Sequence, residues 1–159
     1  MKHLITTLYG LALLLFLMPV TAPAQSTTYP LVGTWNLAFS KPGKPPNFIA
    51  VMTFHSGGTS TEFDTNGTNS SASPGESIAL GVWSQTADRI YSFKEENVTY
   101  DSAGKLGALA VGVATLPLGE DMNTFTGAIT LNFYDCSVAQ CPGPLGAGPS
   151  VFQISATRF

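Results

Sequence analysis

Few side chains in this chain could do covalent or acid–base chemistry. Of the two histidines in 159 residues, His3 lies in an apolar leader and His55 follows an alternating apolar run beside Gly57 and Gly58. A general base needs a partner within hydrogen-bond reach, and no Gly-x-Ser-x-Gly or similar signature accompanies His55. It reads as a turn histidine. Glu95 and Glu96 are the only adjacent carboxylates in a strand-like run, but neighbours on a strand point to opposite faces, so they read as solvated charge. Asp88, Asp101 and Asp135 stand where turns favour Asp. There is no phosphate loop, dinucleotide fingerprint or metal-ligand cluster, so no catalytic residue, cofactor or metal is expected. Cys136 and Cys141 bracket Ser-Val-Ala-Gln. In an exported protein that spacing favours a disulfide over a metal or redox role, since two thiolates make a poor zinc site. Closing so short a loop contributes about 2 kcal/mol by chain entropy.

The aromatic residues are more suggestive. Phe54, Phe63, Trp83, Tyr91, Phe93, Tyr100 and Phe133 could line an apolar cavity with a few polar handles, the usual construction of a small-molecule site. The same residues could equally fill a small barrel with its own side chains. Asn66, Asn69 and Asn97 open glycosylation sequons, which chance also produces in a chain so rich in Ser, Thr and Asn.

Residues 1–24 have the form of a secretory signal: a basic head at Lys2, an apolar stretch over 11–20, and Ala22-Pro23-Ala24 as a small-x-small cleavage site. The apolar stretch is short for a membrane span, and no Cys follows the cleavage site to carry a lipid. The expected product is a single exported domain, residues 25–159, without a membrane span. The formal net charge is −3, and removing Lys2 makes it more negative. The remaining cations are Lys41, Lys44, Arg89, Lys94, Lys105 and Arg158, scattered along the chain. That pattern lacks the basic footprint of a nucleic-acid binder.

What must position these residues is a series of strands. Trp35, Leu37 and Phe39 alternate with polar or small residues, and the Pro- and Gly-rich 41–46 ends that run. Residues 48–55 and 59–64 flank Ser56-Gly57-Gly58 as a hairpin. Residues 65–77 are Asn, Ser, Thr, Gly and Pro with nothing to bury, a long loop that is either mobile or a cover for a barrel mouth. Further strands are predicted over 78–85, 89–100, 106–118, 124–133 and 151–159. In the fifth, Tyr91 and Phe93 have one parity and Val98 and Tyr100 the other. A bulge among 94–97 would unite them and is the favoured reading; without it Glu95 and Asn97 share the inner face of Tyr91 and Phe93. The sixth places the small Ala108, Ala110, Gly112 and Ala114 on one side, a sign of backbone crowding or of something large opposite. Eight antiparallel strands in succession predict an all-β up-and-down barrel, with a two-sheet sandwich as the alternative.

With Gly33-x-Trp35 at one end and Arg158 at the other, the chain resembles the lipocalin-like, or calycin-type, barrels. In that superfamily a Gly-x-Trp opens the first strand and an Arg near the end of the last packs across the Trp. A guanidinium over an indole has its own physical reason, worth about 1 kcal/mol. The spacing of Phe54-His55-Ser56-Gly57-Gly58-Thr59, Gly81-x-Trp83 and Tyr100-Asp101 is also similar to that of small secreted bacterial lipocalin-like proteins. The Thr-Asp-Tyr block of kernel lipocalins and a helix before the last strand are absent. The resemblance implies an exported, non-enzymatic barrel holding a small apolar or amphipathic molecule. Two alternatives stay open. One is a cyclase or isomerase with Glu95 or Tyr91 as its buried polar group, and the other is an interaction protein with a filled core.

Overall fold

A computed structural model describes residues 29–64, 75–101, 103–137, 139–146 and 148–159. Residues 1–24, expected to be a secretory signal, most of the expected 65–77 loop and the Asn66 and Asn69 sequons lie outside the described residues. Eight strands follow one another: β1 (Gly33–Ser40), β2 (Pro46–Phe54), β3 (Thr59–Asp64), β4 (Ala79–Ala87), β5 (Ile90–Tyr100), β6 (Leu106–Pro117), β7 (Thr124–Asp135) and β8 (Ser150–Arg158). Each pairs antiparallel with the next, and β1 also pairs with β8 from Trp35 opposite Arg158 to Ser40 opposite Gln153. That last ladder closes the barrel and excludes the sandwich.

Alternation decides which side chains enter. The inner face takes Trp35, Leu37 and Phe39 from β1, Ala50, Met52 and Phe54 from β2, and Phe125 and Ile129 from β7, all buried. Half of the interior is filled solid with rings. Phe54 meets Phe93 at 5.7 Å and Phe125 at 6.3 Å, and Trp83 meets Tyr91 at 5.7 Å, with steep interplanar angles. Such edge-to-face contacts suit the ring quadrupole.

That half is also plugged at its end. The chain entering β1 tucks Leu31 fully out of solvent, and Trp35 Nε1 donates to the Leu31 carbonyl at 2.9 Å. Arg158 lies over the Trp35 ring, its guanidinium carbon 4.4 Å from the ring centre. The same guanidinium donates to the carbonyls of Val32 (2.9 Å), Met122 (3.1 Å) and Pro30. Gly33 has φ +138°, and a Cβ there would stand 2.6 Å from Arg158 Nη1. Gly33, Trp35 and Arg158 thus form one unit in which the glycine makes room for the arginine.

At the opposite end the strands open into the 41–45 turn, the β3–β4 connection, the 101–105 turn and the β7–β8 connection. The Cys136–Cys141 disulfide is formed within the last of these. Cys136 N donates to Gly107 O and Asp135 N to Pro144 O, each at 3.0 Å, which ties this connection to the strand ends.

The expected bulge among 94–97 is not there. β5 pairs with β6 in unbroken register from Ile90 opposite Pro117 to Thr99 opposite Ala108, and slips only between Thr99 and Tyr100. Parity therefore runs straight from Tyr91 through Phe93 to Glu95 and Asn97, so Glu95 enters the barrel and is 7 % exposed. The small face of β6 is what accommodates it. Gly112 sits opposite Glu95, and a Cβ on Gly112 would come within 3.0 Å of Glu95 Cγ and Oε1 and 2.7 Å of Ile129 Cδ1.

Candidate functional site

The open half of the barrel holds a cavity of about 140 Å³ between two unlike walls. One wall is carboxylic. On β3, the hairpin register sets Glu62 opposite Met52 and Asp64 opposite Ala50, so both share the inner face of β2. On β5, Glu95 and Asn97 point inward, as above. Glu76 comes from the chain just before β4, which runs beside the end of β5: Glu76 bridges to Thr99, Ser77 N donates to Val98 O at 2.9 Å, and Tyr100 N donates to Gly75 O at 2.7 Å. Asn97 Nδ2 then donates to Glu76 Oε2 at 3.1 Å.

The facing wall is apolar. Phe39 and Phe48 stack at 4.5 Å, Phe48 meets Phe152 edge-on at 5.7 Å, and Leu131 and Phe133 complete that side.

Glu62, like Glu95, is only 7 % exposed. A buried carboxylate is held in its charged form only by cations or hydrogen-bond donors. Here desolvation dominates and neighbouring carboxyls add to it. Burial pushes Glu62 well above the usual carboxylate range, with the charges of Glu95 and Asp64 raising it further. Burial also pushes Glu95 up to about 7; the hydrogen bond from Glu62 lowers it, and the Asp64 charge raises it. Glu76 is raised to about 7 by burial and by its contacts with Asp64, against the lowering effect of Asn97. Oε2 of Glu62 and Oε2 of Glu95 are each buried with no hydrogen-bond partner among the described residues.

Among the described residues no Lys or Arg lines the cavity. Arg158 is at the plugged end, Arg89 in the β4–β5 turn there, and Lys94 pairs outside the barrel with Glu96 at 2.7 Å. Lys41, Lys44 and Lys105 are exposed in the mouth turns and do not line the cavity. Residues 65–74 contain no Lys or Arg at all.

The aromatic residues singled out from sequence are divided by the fold. Phe54, Trp83, Tyr91 and Phe93 belong to the packed half, and Phe133 alone lines the cavity. Phe63 does not enter: it is 56 % exposed on the outer face, because the residue between inward Glu62 and Asp64 must point out. Tyr100, beyond the register slip, is 36 % exposed. Tyr91 and Glu95 are also separated, by four residues or about 13 Å along β5, so they cannot act on one small group. The Tyr91 hydroxyl is buried without a partner, and burial raises its pKa. His55 is exposed in the β2–β3 turn, within 3.4 Å of Thr61 Oγ1. Sequence reasoning missed Glu62, Asp64, Glu76, Phe39, Phe48 and Phe152 as lining residues.

A wider depression of about 560 Å³ near Tyr29, Gly58 and Trp83 is open to solvent and carries no charged side chain. The smaller mouth cavity is where unsatisfied polar groups and an apolar wall converge, the usual mark of a binding site. Comparison with known protein families, with curated proteins and with solved structures finds no match.

Proposed function

We propose that this protein is an exported, lipocalin-like barrel that binds a small amphipathic molecule in the mouth cavity. The observation that carries the reading is the division of the interior: one half is packed with rings, while the half beneath the loops keeps a cavity with an apolar wall facing a polar one. The closed eight-stranded ladder and the Gly33–Trp35–Arg158 unit support the lipocalin-like assignment. The Cys136–Cys141 disulfide suits an oxidising compartment and so agrees with export. Sites for drug-sized ligands run to about 300–1,000 Å³. A cavity of about 140 Å³ therefore takes a compact molecule, or the end of a longer one whose remainder lies among the mouth loops.

Native mass spectrometry of protein purified from its own source tests this reading. A stoichiometric small molecule, lost when Leu131→Trp fills the cavity, is the expected result. A clean apo mass and no binding to any small apolar probe would refute it. The buried Glu62–Glu95 pair lining the cavity also favours one second reading, an isomerase or cyclase using that pair as acid and base. It requires turnover of the bound molecule that Glu95→Gln abolishes without displacing it.

A further inference from the structure

We infer that the molecule held in the mouth cavity carries a protonated nitrogen on a compact apolar or aromatic body, with the Glu62–Glu95 carboxyl pair as its counter-charge. The inference rests on the binding reading above and specifies its ligand class. Three observations carry it.

First, four carboxyls converge on the cavity, and every Lys and Arg after Lys2 is placed elsewhere. β1, β2, β4, β6, β7 and β8 contribute no titratable group to the lining, so the field inside has one sign. A fatty acid or other anion would set its charge against that field, which repels it. Second, Glu62 and Glu95 both line the cavity, are buried to more than nine-tenths, and each carries a carboxyl oxygen with no hydrogen-bond partner among the described residues. Such acceptors lack a donor, and an ammonium brings up to three. Bonds from an ammonium to a carboxylate are about twice as strong as neutral ones. Third, the wall opposite is Phe39, Phe48, Phe133 and Phe152, which suits both an apolar body and a cation against ring faces. The described residues hold no group of three or more His, Cys, Asp or Glu arranged to hold a metal ion. An organic cation is therefore favoured over an inorganic one.

The proton balance follows. Where the carboxyl pair and Glu76 still carry protons, an incoming ammonium keeps its own proton and displaces one from the carboxyls to solvent. Above about pH 8 Glu95 and Glu76 are already ionised, and fewer protons are released. Affinity for a cation must therefore rise from pH 5.5 to pH 8.

The test is isothermal titration of the protein with three probes of one shape: 2-phenylethylamine, the neutral 2-phenylethanol and the anionic 3-phenylpropionate. The amine should bind at least about tenfold more tightly than the alcohol, and the acid should not bind. At pH 6 the heat should vary with the buffer's ionisation enthalpy in the sense of proton release. Glu95→Gln, checked for folding by its melting curve, should bring amine and alcohol to within about threefold of each other. The outward Glu96→Gln should change nothing. Equal binding of amine and alcohol, or preferred binding of the acid, would overturn the cation inference and leave the binding reading standing. Binding of none of the three would overturn both. Calcium that binds to wild type but not to Glu95→Gln, and that displaces the amine, would assign the acids to a metal and overturn the inference as well.

Discussion

Burying Glu62 and Glu95 without a cation should make this acidic protein less stable at neutral pH than in mild acid. Each begins from a carboxyl value of 4.5 in the unfolded chain, and Glu95 titrates at about 7 in the fold. Below pH 4.5 both states hold the proton and pH has no effect. For Glu95 the folded state binds more protons than the unfolded one between pH 4.5 and 7, so each rise in pH favours unfolding; above 7 the Glu95 penalty is complete and flat. At about 1.4 kcal/mol per pH unit, Glu95 alone accounts for roughly 3 kcal/mol. Glu62, coupled to it, acts in the same direction, while Glu76 is half-buried and partly screened by solvent. Asp121 has the opposite sign, its carboxyl lowered by the Asn123 backbone N–H and Thr124. Its stabilising effect is lost only as pH falls through the acid range below about 4, outside this window. For a domain of this length 1 kcal/mol moves the melting temperature by about 3–5 °C, so the melting temperature at pH 8 should lie roughly 10 °C below that at pH 5. Glu95→Gln keeps the shape of the side chain and removes its charge. It should melt with wild type at pH 5 and several degrees above it at pH 8. Calorimetry in a constant-ionisation buffer series decides. A flat or rising wild-type curve from pH 5 to 8, or a Glu95→Gln variant that melts below wild type at pH 8, would refute the reasoning.

The plugged end makes its own predictions. Arg158→Ala removes the ring contact and leaves the carbonyls of Val32, Pro30 and Met122 without their donor, so chemical denaturation should show a loss of about 2–4 kcal/mol. Arg158→Lys should recover less than half, since an ammonium cannot reproduce the fork over the ring. Gly33→Ala combines a positive φ with a Cβ 2.6 Å from Arg158 Nη1 and should cost more than about 2 kcal/mol in the same assay. Phe93→Ala should cost about 3–5 kcal/mol, whereas Phe63→Ser, on the outer face, should stay within about 0.5 kcal/mol of wild type.

Strand existence was legible because alternation such as Trp35, Leu37 and Phe39 in β1, Ala50, Met52 and Phe54 in β2, and Phe125 and Ile129 in β7 survives in the structure, and because Gly and Pro mark the strand ends. The acidic wall was not, for two physical reasons. In β3 the largest apolar residue is Phe63, and hydrophobicity alone assigns its parity to the core. The hairpin overrules that: with Phe54 inside and opposite Ser60, two-residue steps bring in Glu62 and Asp64 and turn Phe63 out. Propagating the register from a secure neighbour would have found the site. In β5 the change of parity from Tyr91 and Phe93 to Val98 and Tyr100 pointed to a bulge that is not formed. Burial instead favours the protonated form of Glu95, and Gly112 on another strand leaves it space, neither of which a local pattern contains. Glu76 is beyond such reasoning, because it reaches the cavity through a single bridge to Thr99.

The two halves of the barrel then depend on one another. The ring-packed half supplies apolar burial, at about 1.5–3 kcal/mol for each large side chain removed from water, and that surplus lets the mouth keep carboxyls that weaken the fold. A bound ammonium should reverse that weakness, since a cation beside a carboxylate lowers its pKa and removes the cause of the pH dependence. 2-Phenylethylamine held at one concentration, 100 times its dissociation constant at pH 8, adds about 2.7 kcal/mol there by mass action. The gain should be largest at pH 8, where Glu95 and Glu76 are ionised, and smallest at pH 5, where protons already neutralise them. The liganded wild type should therefore trace the flatter melting curve of Glu95→Gln. A gain equal at both pH values would mean that the amine binds through its ring alone and that the carboxyls take no part.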